Sequence, residues 1–142
     1  MKMNSGIKSS DLWEKITVDD NFVIKSIQHA KKDLKTAKSV FNSEDYDWCY
    51  SIAYNSMLQA GRALMFSSGV RPTGDAKHIS VIEFLKSNYN RELDDILYIF
   101  NKMRQKRHLI MYDEIELITK EEAENGLKNA ELFIKNIEKL IK

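Results

Sequence analysis

Residues 102–114, KMRQKRHLIMYDE, gather five basic side chains, a tyrosine and two acids at the end of an otherwise apolar helical run. Arginine offers a planar fork that grips phosphate or carboxylate through paired charge-assisted hydrogen bonds. Imidazole can exchange a proton near neutral pH, and a phenol can donate one hydrogen bond. Arg104, Arg107, His108 and Tyr112 are therefore the candidate ligand-binding residues, and an anion such as phosphate is the ligand class they suit.

Their position on the helix sharpens the expectation. Leu93, Ile96, Leu97, Phe100 and Met103 form one apolar stripe at helical spacing. Arg104 lies one turn after Phe100, Arg107 falls seven residues after it, and Met111 follows a turn later. Both arginines thus continue the core stripe, with His108 at its edge and Tyr112 a turn beyond. A charge on such a stripe is costly unless it is paired or the stripe opens into a cleft or interface. Acids on neighbouring helices, a helix end that runs past the core, or a bound anion would each satisfy it. Periodicity reaches a cationic patch where core is expected, and no reaction.

The elements that must hold this patch are helical. Val23, Ile27, Ala30, Leu34, Ala37 and Phe41 predict a helix over about 20–43, with Lys25, Lys31, Lys32, Lys35 and Lys38 on its solvated faces. A second helix over about 45–67 is apolar along most of its length, and its small pair Ala60 and Gly61 lets a neighbour approach closely. Asn55, Gln59 and Arg62 make a polar stripe on it that either faces water or borders a site. Glu44, Asp45 and Asp47 either favour the start of that helix or reach the arginines. SSGVRPTGD is the clear central loop, and Asp75 is placed to cap a short helix over about 76–88. The arginine-bearing helix follows over about 90–112, then DEIEL as an extended connection. Thr119 and Glu122 form a capping-box signature for a last helix over about 120–141. The expected fold is all-α, an antiparallel up-and-down bundle of four to five helices over 20–142, preceded by a loosely held arm over 1–19.

Composition bounds the rest. With 142 residues, 22 Lys and Arg against 21 Asp and Glu, and a net charge of +1, the chain is of one-domain size and has no global basic field, so any affinity for nucleic acid must be local. A single cysteine, Cys49, excludes an internal disulfide and Cys-rich zinc patterns, and fits a reducing cytoplasm. No membrane span, signal segment, P-loop or Rossmann glycine pattern is visible, and no spacing makes a persuasive metal site. No metal or cofactor is expected. His29 and His78 read as surface or cap residues.

The stretch YSIAYNSMLQAGRALMFSSGVRPTGDAKHISVIEFL, then MRQKRHLIMYDE and a final ITKEEAENGLKNAELFIKNIEKL, resembles the HEPN family of small all-helical domains in order and spacing. The likeness spans roughly residues 20–142. It implies a helical bundle that commonly forms a homodimer with the motif helices at the interface. Many such proteins are metal-independent ribonucleases, often toxins paired with a small nucleotidyltransferase; others are thought to bind nucleotide without cutting. The nuclease members place a histidine after an arginine and four to six intervening residues. Here only three residues separate Arg104 from His108, and the position five along from Arg107 is Tyr112. Arg107, His108 and Tyr112 instead match a branch that reads arginine, a polar residue, a short gap, then tyrosine. Three functions follow as alternatives: binding of nucleotide or RNA phosphate through Arg104, Arg107, His108 and Tyr112; RNA cleavage with His108 as base and Arg104 and Arg107 stabilising charge; or a helical protein-interaction module.

Overall fold

The computed structural model describes residues 12–73, 77–113 and 118–141. In chain order it contains β1 (Trp13–Lys15), α1 (Asp20–Asn42), α2 (Tyr46–Ser67), β2 (Val70–Pro72), α3 (Lys77–Asp113) and α4 (Lys120–Leu140). The fold is an all-α bundle with one small two-stranded ribbon.

Asp19 starts α1 by accepting from the Asn21 backbone N–H at 2.9 Å, and Val23, Ala30, Leu34 and Ala37 form its buried stripe. Glu44 then adopts φ 65°, a left-handed turn conformation, and Asp45 caps α2 by accepting from the Trp48 N–H at 3.2 Å. So short a connection makes α1 and α2 an antiparallel pair.

α2 touches α1, α3 and α4 and is the central helix. Cys49, Ala53, Tyr54, Met57, Ala60, Leu64 and Met65 are buried along it. At Gly61 a side chain would not fit: a Cβ there would stand 2.6 Å from Cγ1 of Val81, so α3 rests on bare backbone. The small pair read from the sequence is therefore a contact between helices.

α3 is two arms rather than one rod. Tyr89 leaves helical geometry with φ −133° and ψ 23°, dividing residues 77–88 from 90–113. In a straight helix His78 and Phe100 would lie roughly 33 Å apart. Instead both rings neighbour Tyr54, at centroid distances of 5.7 and 5.4 Å. The break folds the first arm back beside the second. These arms are the two helices expected at about 76–88 and 90–112.

Thr119 and Glu122 form the reciprocal capping box of α4, whose Ala123, Ala130, Phe133, Ile134 and Ile137 complete the core. Lys106 of α3 pairs with Glu122, tying the second arm to this cap. Lys31 and Lys38, on the solvated face of α1, reach Glu138 and Glu131 of α4.

Residues 12–16, within the arm expected to be loosely held, pair with the segment after α2. Trp13 pairs with Pro72 and Lys15 with Val70, while Ile16 N–H donates to Gly69 O at 2.8 Å and Thr73 N–H to Leu12 O at 2.9 Å. Leu12 is buried and Trp13 packs edge-on against Phe84 at 5.3 Å. The expected Asp75 cap and residues 114–117 of the extended connection lie outside the described residues, as do residues 1–11.

Candidate anion site

Tyr54 is the floor of the site. It is fully buried on α2 and lies in an aromatic column that continues through Phe100 to Phe133, with centroids 5.4 and 5.0 Å apart. Its hydroxyl meets Nδ1 of His78 at 2.9 Å, and the two rings stack at 25°. A phenol so deep in the core ordinarily needs one polar partner, and the imidazole is that partner. Burial holds the Tyr54 hydroxyl well above its usual pKa, outweighing the opposite pull of Arg104 and Arg107. The phenol is a neutral hydrogen-bonding group here.

The arginines stand over this floor. The Arg107 guanidinium lies 5.7 Å from the Tyr54 ring centroid, a cation–π distance. Its Nε is buried and has no hydrogen-bond partner among the described residues. Such a contact returns roughly 0.5–2 kcal/mol, whereas an unsatisfied buried donor costs about 1–3 kcal/mol. The ring therefore offsets only part of the penalty. Arg104 uses Nε on Asn101 Oδ1 of its own helix at 3.1 Å. Arg62, on α2, also has a buried Nε with no partner, and its guanidinium rests 5.9 Å from the Phe66 ring.

His78 registers all three charges. Its pKa is held below the usual histidine value, first by burial and then by Arg107, Arg104 and Arg62. Both effects penalise an imidazolium, so the ring is neutral at neutral pH. Among the described residues no carboxylate pairs with Arg62, Arg104 or Arg107. Of the acids that the sequence offered as partners, Asp45 caps α2 and Asp47 accepts from the Ile118 N–H at 3.0 Å.

The four residues singled out from the sequence divide into two pairs. Arg104 and Arg107 are half-buried and face Tyr54 and His78. His108 and Tyr112 are exposed and lie against each other, with ring centroids 4.6 Å apart. Tyr54 and His78 were not singled out, and His78 is half-buried inside the cluster rather than on the surface. Arg62 had a visible signal, its place on the polar stripe of α2. His78 had none, because the turn at Tyr89 is what delivers it.

Other features carry less chemistry. Cys49 is fully buried, and burial together with Asp45 pushes its thiol up to about 11, so it is an inert packing residue. A groove of about 870 Å³ between the ribbon and the Tyr89 bend is lined by Trp13, Ser68, Glu83, Lys86 and Tyr89, and shares no residue with the arginine cluster. Among the described residues no group of three or more His, Cys, Asp or Glu side chains could hold a metal ion. No helix described is long and apolar enough to cross a membrane.

The HEPN domain family matches residues 23–140, nearly the whole bundle. A protein of Methanocaldococcus jannaschii named "Putative toxin MJ0142" is 33% identical over 123 residues, covering 82% of this chain and 80% of that relative.

Proposed function

We propose that this chain, which belongs to the HEPN domain family, binds the phosphate backbone of RNA, or a nucleotide phosphate, at the cluster of Arg104, Arg107 and Arg62. The observation that carries this reading is the missing counter-charge. Arg104 and Arg107 act on Tyr54 and His78, and Arg62 adds its charge at His78. Among the described residues no carboxylate pairs with them, and Arg62 and Arg107 each bury an Nε with no acceptor there. A phosphate oxygen is the complementary acceptor, and arginine forks match its geometry. His108 and Tyr112, exposed a turn apart, extend the same helix end and offer stacking surface to a base.

The test is fluorescence anisotropy with a short labelled 2′-O-methyl oligoribonucleotide, which binds but cannot be cut. The wild type saturates, and Arg104→Gln/Arg107→Gln binds at least about tenfold more weakly, the loss of one charge-assisted contact or more. Equal binding by the variant would remove the reading.

We further propose that the protein acts as a homodimer. Leu109 and Met111 are exposed at the end of α3, where a second copy would cover them. A nucleotidyltransferase partner and a toxin–antitoxin setting in the cytoplasm are parts of the same proposal, supported by family habit and by the relative named as a toxin. That relative also favours a second reading, metal-independent RNA cleavage with His108, Arg104 and Arg107 as the catalytic set. Incubating RNA with the protein in EDTA, beside Arg104→Ala/His108→Ala, separates the two. Cleavage that the double variant loses supports the nuclease, and intact RNA leaves binding alone.

A further inference from the structure

His78 is oriented as a ligand residue is. Fully buried Tyr54 holds its Nδ1 at 2.9 Å and stacks on its ring, while Nε2 has no hydrogen-bond partner among the described residues. The hydroxyl of a tyrosine can donate or accept, so the Tyr54–His78 bond survives either protonation state of the imidazole. When the ring is neutral with its hydrogen on Nε2, Tyr54 donates to Nδ1. When it is charged, Nδ1 donates to the phenol oxygen, and Nε2 keeps its hydrogen. In both of these states Nε2–H is a donor without a partner among the described residues.

We propose that His78 is a phosphate-contacting residue of the arginine site, donating from Nε2 to a phosphate oxygen of a bound RNA strand and taking up a proton as that strand binds. The inference rests on the arginine cluster being a phosphate site and adds a residue from the other arm of α3. Among the described residues, the charged and titratable groups facing His78 are Tyr54 and Arg62 of α2 and Arg104 and Arg107 of the second arm. None of them supplies a negative charge at neutral pH.

The direction of the coupling follows from that environment. In the free protein burial, then Arg107, Arg104 and Arg62, disfavour the imidazolium. A bound phosphate offsets the guanidinium charges and accepts from Nε2, which favours the imidazolium, so the His78 pKa rises on binding. Linkage then requires tighter binding as pH falls from above the bound value to the free value. Each unit of rise makes binding about tenfold tighter across that window.

The experiment follows the ring protons of His78 by NMR between about pH 5 and pH 8, the range in which histidines titrate. Free protein is compared with protein saturated by a 2′-O-methyl tetraribonucleotide with unphosphorylated ends. This probe has no group that titrates in the range and no 2′-hydroxyl to react. Exposed His29 on α1 serves as the internal reference, and His29→Gln and His108→Gln assign the remaining signal to His78 by elimination. The expected result is an upward move of the His78 midpoint by about one unit, with affinity about tenfold higher at the low end of the range. Binding that is lost in Arg104→Gln/Arg107→Gln while the His78 midpoint stays put would overturn this inference and leave the arginine reading standing. No binding by wild type would overturn the arginine reading and this inference with it.

Discussion

Arg107 sits where a charge contributes least to folding. Among the described residues its buried Nε has no partner, and an aromatic ring alone answers the guanidinium. A residue kept under such conditions trades stability for binding. Arg107→Met keeps most of the volume and removes both the charge and the orphaned donor. It should therefore stabilise the fold by about 1 kcal/mol in urea melts and weaken oligonucleotide binding in the same preparation. A variant that is less stable and binds equally well would mean that Arg107 is a structural residue. The stripe that carries Arg104 and Arg107 was legible in the sequence because helical periodicity put both on the side of Phe100. Their company was not. Tyr54 carried no signal of its own in α2, and His78 read as a surface or cap histidine, since nothing local ties position 78 to position 104.

The helices of the bundle were legible for the ordinary reason that their apolar stripes recur at helical spacing and their starts carry recognisable caps. Thr119 and Glu122 form the capping box their spacing announced. The ribbon was not legible. WEK and VRP are too short to show alternation, and one of them contains proline, which usually argues against a strand. What mattered most for the site was also hidden. Periodicity suggested a break near Tyr89 but carried no bend angle, and the angle decides whether His78 meets the arginines. Gly61 is the position on which that arrangement depends within α2. A methyl group there meets Cγ1 of Val81, itself fully buried and unable to swing aside. Gly61→Ala should cost about 1–3 kcal/mol by overpacking, against about 1 kcal/mol that alanine returns as a better helix former. A lower urea midpoint is expected, together with weaker binding as the first arm lifts His78 from Tyr54. An unchanged midpoint would show that the arm can shift without loss.

At the scale of the molecule, the near-zero net charge excludes a general attraction to nucleic acid. If the arginine cluster is the proposed phosphate site, affinity falls with salt by an amount set by a few phosphates and disappears with the arginines. The measurement that tests this most directly is the dissociation constant of the 2′-O-methyl oligoribonucleotide against salt concentration, for wild type and for Arg62→Gln/Arg104→Gln/Arg107→Gln. The account predicts measurable wild-type binding whose log affinity falls with log salt by about 0.7 for each phosphate contacted. It also predicts that the folded triple variant loses both the affinity and the slope. Binding by the triple variant with the same affinity and the same salt dependence would contradict it.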